Sequence, residues 1–94
     1  MTSVLVVEDD AHMQEMVLFV LSREGYRVRG AVNGREALAE MEKSPADLVV
    51  LDVMMPVMDW WDLCRELRRL NPELPIIMIT AKHETSQKVK GFDL

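Results

Sequence analysis

Short apolar runs that are each followed directly by an acidic or hydroxyl residue constrain the fold of this chain more than any other feature. They occupy residues 4–7, 48–51 and 76–79. Continuous apolar runs of this length are typical of strands that are buried on both faces. Segments with helical spacing lie between them, so strands and helices alternate along the chain. This alternation predicts parallel βαβ units with right-handed crossovers, and therefore a single α/β domain with a doubly wound sheet.

The segments between these runs carry their own signals. Residues 26–31 alternate apolar side chains with Arg27 and Arg29, which predicts an edge strand with one wet face. Asn33 and Glu36 predict the capping box of a helix, and Asp59 predicts the N-cap of another. A further helix is expected after residue 81. The inward face of the first helix is predicted from helical spacing as Met13, Met16, Val17, Val20 and Leu21.

Composition limits the class of protein. The net charge of −5 and the pI near 4.9 argue against direct nucleic-acid binding, which needs clustered Lys and Arg. No apolar run approaches the roughly 20 residues that span a bilayer, and the start shows no signal-peptide pattern. Cys64 is the one cysteine and lies on an apolar helical stripe, where we expect an inert core residue. The chain is expected to form one cytoplasmic domain, residues 1–94, without membrane contact.

Chemistry is expected at the carboxyl ends of the predicted strands. Glu8 and Asp9 follow the first run, Asp52 follows the second and Thr80 follows the third. In doubly wound sheets the functional crevice lies beyond these ends. Carboxylates that share one edge repel one another unless a cation joins them, and oxygen ligands with room for water suit Mg²⁺. Asp52 is the predicted nucleophile for an acyl phosphate, and Thr80 could donate its hydroxyl to a phosphoryl oxygen.

Several separately placed motifs resemble the response-regulator receiver domains of bacterial two-component signalling. They cover the chain in order: VLVVEDD at residues 4–10, LDVMMPVMD at residues 51–59, ITA at residues 79–81 and KVKGFDL at residues 88–94. The resemblance implies a flavodoxin-like fold with strand order 2-1-3-4, completed in the family by a fifth strand and a final helix.

The resemblance also implies roles for individual residues. Asp52 would accept a phosphoryl group from a histidine kinase, so the domain would be a phosphoprotein switch and not a turnover enzyme. Glu8, Asp9, Asp52 and the backbone carbonyl of Met54 would bind Mg²⁺. Thr80 would be the switch hydroxyl that relays the change, and an output domain is expected in the parent protein.

Two departures from the family pattern affect these expectations. The 94 residues end before the fifth strand and final helix, and so before the lysine that pairs with the phosphoryl oxygens in the family. We therefore expect weak phosphorylation of this fragment, and self-association as a dimer or by segment exchange to cover the bare edge. Trp60 stands where receiver domains usually have glycine. Together these departures also allow an engineered receiver fragment.

Three other functions remain open at this stage. The chain could be an oligomerisation or protein-binding module that takes no phosphate. A metal-dependent hydrolase with an aspartyl nucleophile would usually need a second acid where Met54 stands. A dinucleotide-binding domain would need a glycine-rich turn where the acidic residues 8–10 stand.

Overall fold

The computed structural model describes residues 2–52 and 60–79. In these ranges strands and helices alternate as predicted. Met54, Asp59, Thr80 and the predicted helix after residue 81 lie outside the described residues. The elements are β1 (Ser3–Val7), α1 (Ala11–Arg23), β2 (Arg27–Ala31), α2 (Gly34–Lys43), β3 (Leu48–Asp52), α3 (Trp60–Leu70) and β4 (Ile76–Ile79).

The four strands form one parallel sheet in the order β2-β1-β3-β4. This confirms the predicted strand order. β1 lies in the interior of the sheet, where Val7 is in register with Ala31 of β2 and with Leu51 of β3. Because the strands are parallel and in register, their carboxyl ends share one edge, and the residues after Val7 and Leu51 are neighbours there.

Apolar side chains on the two faces of the sheet form two cores. On one face, strand residues such as Leu5 and Leu51 pack with α2 and α3, whose buried members are Ala37, Met41, Leu63, Cys64 and Leu67. On the other face, Val4 and Val6 pack with Val50 and with side chains of α1. Full burial of each large aliphatic side chain is worth about 1.5–3 kcal/mol, so these layers hold the strand ends in place.

The predicted inward face of α1 is wrong at two of its five positions. Val17 and Leu21 pack against the sheet as expected, together with Leu18. Met16 and Val20 are instead 58% and 52% exposed. α1 lies over β1 and β2, and its inward side is rotated by about one residue from the predicted stripe, which spacing alone does not determine.

The capping box predicted for α2 is confirmed. The Asn33 carboxamide oxygen accepts a hydrogen bond from Glu36 N at 2.8 Å, and Glu36 Oε1 accepts one from Val32 N at 2.8 Å. Asp10 caps α1 by accepting from Met13 N at 3.1 Å. After the other end of α1, Gly25 takes φ = 98°, a left-handed conformation that favours glycine.

Strand β4 is exposed on one face. Ile76 and Met78 are buried, but Ile77 is 43% exposed. Among the residues that the structure describes, β4 pairs with β3 only. Leu70, the last residue of α3, is 46% exposed. No helix in the described ranges is long and apolar enough to cross a membrane.

Candidate functional site

Three of the predicted site residues come together at the carboxyl edge of the sheet. One carboxylate oxygen from each of Glu8, Asp9 and Asp52 lies within 4.8 Å of the other two. Glu8 and Asp9 directly follow β1, and Asp52 is the last residue of β3. The in-register pairing of β1 with β3 therefore brings together acids that are far apart in the sequence. Met54 and Thr80, the other two predicted members, lie outside the described residues.

Burial makes this cluster electrostatically unusual. Glu8 is 2% exposed and Asp52 is 6% exposed, whereas Asp9 is open to solvent. Burial raises the pKa of Glu8 to about 7, helped by proton sharing with the Asp52 carboxyl and by the negative charge of Asp52. A backbone hydrogen bond from Asp10 N to Glu8 Oε2 at 3.0 Å lowers that pKa only in part. The site therefore favours a bound proton or a cation.

The surroundings of the second carboxylate oxygen of Glu8 show whether the acidic cluster suits a cation. When both carboxyls are ionised, Glu8 Oε1 is buried and accepts no hydrogen bond within residues 2–52 and 60–79. A buried oxygen without a donor is costly. Mg²⁺ binds carboxylate oxygens and keeps several waters, so one buried pair and one exposed acid suit it. The residues present therefore fit the metal that the sequence predicted.

One residue at this edge was missed by the sequence analysis. Gln14 of α1 donates from Nε2 to the backbone oxygens of Glu8, at 3.1 Å, and Ala31, at 3.0 Å. Its position three residues before Val17 and seven before Leu21 places it on the inward face of α1. A polar residue among inward apolar positions was the available signal, because such a group needs a partner.

Cys64 takes no part in this cluster. It is buried on the α3 side of the sheet, and burial raises the pKa of its thiol to about 11. The thiol is therefore protonated at neutral pH, which agrees with the predicted inert role.

Comparison with known families decides the assignment. A family model described as "Response regulator receiver domain" matches residues 4–94. The chain belongs to this family. The receiver fold that the motifs implied is thereby confirmed, and the acidic cluster lies at the carboxyl edge of the sheet of this receiver domain.

Curated relatives of this receiver domain are regulatory proteins. The sensory transduction protein RegX3 of Mycolicibacterium smegmatis is 43% identical over 94 residues, which cover all of this chain and 41% of that protein. The alkaline phosphatase synthesis transcriptional regulatory protein PhoP of Bacillus subtilis is 42% identical over 91 residues, 97% of this chain and 38% of that protein. The chain thus spans about two fifths of the length of these relatives.

Solved structures with the same fold include small receiver proteins. The chemotaxis protein CheY4 of Vibrio cholerae aligns with a TM-score of 0.85 and 35% identity, over 99% of this chain and 81% of that one. The response regulator TrrA of Thermotoga maritima, solved in complex with Mg²⁺–BeF, aligns with a TM-score of 0.83 and 32% identity, over 99% and 83%. These likenesses confirm the flavodoxin-like α/β fold.

Proposed function

We propose that this receiver domain is a phosphoacceptor switch in which Asp52 takes a phosphoryl group from a histidine kinase with the help of Mg²⁺. The observation that carries the proposal is the meeting of Glu8, Asp9 and Asp52 oxygens within 4.8 Å. Membership of the family supports the same role. Asp52 is the acceptor in this proposal because residues 51–59 resemble the family's phosphorylation segment.

The transfer is a displacement at phosphorus. An oxygen of the Asp52 carboxylate attacks the phosphorus, an O–P bond forms, and the bond from phosphorus to the donor nitrogen of the kinase breaks. The leaving imidazole keeps the electron pair and takes up a proton. The product is an acyl phosphate on Asp52, so the domain is consumed as a substrate and does not turn over as an enzyme.

Glu8, Asp9, Asp52 and the backbone carbonyl of Met54 would hold the Mg²⁺. When bound, the ion would offset negative charge on the arriving phosphoryl group. The buried Oε1 of Glu8, which has no donor in the described part of the chain, supports this cation site. The complex of TrrA with Mg²⁺–BeF supports the same chemistry by likeness of sequence and fold.

The switch would pass from Thr80 to an output domain. Residues 79–81 resemble the family's segment with the switch hydroxyl, which would be that of Thr80. The relatives RegX3 and PhoP are more than twice as long as this chain. Because PhoP is named a transcriptional regulatory protein, we propose that the output domain regulates transcription. In this proposal the output domain contacts nucleic acid and the receiver domain does not. The cytoplasmic location stays a prediction.

Self-association is a second proposal, and Ile77 supports it. This side chain is 43% exposed on β4, whose outer edge has no strand partner among residues 2–52 and 60–79. Exposed apolar strand edges are templates for pairing with another chain. A receiver domain that acts only as an association module would need the exposed face of β4, and it would not need phosphorylation of Asp52.

Beryllofluoride with Mg²⁺ separates the two roles. It mimics a phosphoryl group on an aspartate, and Trp60 and Trp61 at the start of α3 provide a fluorescence signal. We expect a saturable change with the wild type and none with Asp52→Asn. Asp62→Asn is the matched control, because it removes the same charge from an exposed position of α3. A wild type without any response would contradict the phosphoacceptor proposal.

A further inference from the structure

We infer that Gln14 is a positioning residue for the acidic site, since its side-chain amide fixes the backbone from which Glu8 and Asp9 leave the sheet. The inference rests on the proposed function, because it concerns how the Mg²⁺ ligands are held. It assigns a role to a residue outside the acidic motifs, on the first turns of α1 and not at a strand end.

The first observation is that the amide of Gln14 bridges two strands. Nε2 donates to Glu8 O at 3.1 Å and to Ala31 O at 3.0 Å. Ala31 O also accepts from Glu8 N at 2.9 Å, so both backbone polar groups of Glu8 are bonded at this point. Two carbonyl oxygens face the amide, and they require its nitrogen and not its oxygen there. The amide orientation therefore follows from the chemistry of its partners.

The second observation is the glycine beneath the amide. A Cβ on Gly30 would lie 2.5 Å from Gln14 Cδ, 2.6 Å from Oε1 and 2.8 Å from Nε2. The backbone of Gly30 does not require glycine, since Gly25 alone among the described residues has a positive φ. Glycine inside a strand is otherwise unfavourable and often marks a close approach. The close approach in β2 is that of the Gln14 side chain.

The third observation is that α1 begins at the same point. Gln14 N donates to Asp10 O at 2.9 Å in the first turn of the helix, and Asp10 N donates to Glu8 Oε2 at 3.0 Å. Val17, Leu18 and Leu21 hold the same face of α1 on the sheet. Glu8 is thus held through its main chain by Gln14 and through its side chain by the cap of the same helix.

The direct test replaces the amide by an apolar side chain of similar length. In the full chain, Gln14→Met keeps the volume and removes the donor, and Mg²⁺ affinity is measured by titration calorimetry with MgCl₂. Loss of a group that orients metal ligands typically weakens binding by about tenfold or more, and we expect at least that. Leu21→Ala is the control on the same face. It loosens α1 without touching the strand ends, and we expect its Mg²⁺ affinity to stay within about twofold of the wild type.

A second variant, at Gly30 of β2, tests the same amide through the residue that packs against it. Gly30→Ala should displace the Gln14 side chain and weaken Mg²⁺ binding as Gln14→Met does. In a Gln14→Ala background the added methyl meets no amide, so Gly30→Ala should then leave Mg²⁺ affinity unchanged. Hydrogen exchange at the Glu8 amide gives a readout without metal, and we expect faster exchange in Gln14→Met and in Gly30→Ala but not in Leu21→Ala.

Three results would overturn the inference. Gln14→Met could bind Mg²⁺ as tightly as the wild type, Leu21→Ala could weaken binding equally, or Gly30→Ala could act alike in both backgrounds. The results for Gln14→Met and Gly30→Ala would show that the amide does not position the site. The result for Leu21→Ala would show that any loosening of α1 is enough to weaken Mg²⁺ binding. A wild type that binds no Mg²⁺ would overturn the proposed metal site together with this inference. If the wild type binds Mg²⁺, the variants test the role of Gln14 separately from the metal site.

Discussion

The carboxyls of Glu8 and Asp52 are neighbours at the ends of β1 and β3, and both are buried. Burial, and then the neighbouring Asp52 carboxyl, raise the pKa of Glu8 to about 7, so Glu8 is near half-protonation at neutral pH. Two buried acids in contact are not a stabilising pair by themselves. They fit a site that exchanges a proton for a divalent cation.

Stability without metal should depend on pH through Glu8. Its pKa rises from 4.5 to about 7 on folding, so the folded chain holds this proton more tightly than the unfolded chain. This contribution is complete below about pH 4.5 and is lost as the pH rises through about 7. In Mg²⁺-free buffer the free energy of unfolding, from urea titrations, should fall by on the order of 3 kcal/mol between those limits.

Glu8→Gln should remove most of that pH dependence, since the carboxamide keeps the shape and stays neutral. Glu42→Gln, at an exposed position of α2, is the matched control and should retain the slope. A wild-type profile that is flat, or that rises across this range, would refute the assignment to Glu8.

Mg²⁺ should stabilise the folded chain through the same acids. A ligand present at about 100 times its dissociation constant adds about 2.7 kcal/mol to the free energy of unfolding. Thermal melts at neutral pH should therefore shift upward with MgCl₂ in the wild type. The shift should be lost in Asp9→Asn and kept in Asp62→Asn. An equal shift in both variants would place the ion elsewhere.

Two leucines of α3 should differ sharply in their effect on stability. Leu67 is fully buried, whereas Leu70 is 46% exposed three residues later. Leu67→Ala should lower the free energy of unfolding by about 2–5 kcal/mol, because it leaves a cavity. Leu70→Ala should change it by less than about 0.5 kcal/mol. Denaturant unfolding of both variants measures the difference, and similar losses would contradict the placement of α3.

Self-association through β4 should depend on Ile77. Ile77→Lys places a charge on the exposed face of the strand, where charged edge residues oppose pairing between chains. Sedimentation at micromolar concentration should show a wild type heavier than one chain and a lighter variant. Tyr26→Lys, another exposed apolar position, serves as the control and should not change the mass. A monomeric wild type would end this proposal.

The positions of the strands and the meeting of the three acids were predictable from the sequence. Buried parallel strands have continuous apolar runs, and parallel order places their carboxyl ends at one edge. The orientation of α1 was not predictable, because Met16 and Val20 fit the helical period as well as Val17 does. Gln14 was missed for a related reason. Its partners are the backbone oxygens of Glu8, the residue after β1, and of Ala31 in β2. A polar residue signals this contact only once the orientation of α1 is known.

The pairing of β1 with β3 has a consequence for when the acidic cluster forms during folding. Glu8 and Asp52 are more than forty residues apart in the chain, and they meet only through the pairing of β1 with β3. Contacts between such distant segments form slowly, since loop closure precedes any gain from them. A chain in which β1 and β3 are not yet paired therefore lacks the acidic cluster on which the proposed phosphoacceptor role depends. The acidic cluster thus depends on a contact that local structure alone cannot form.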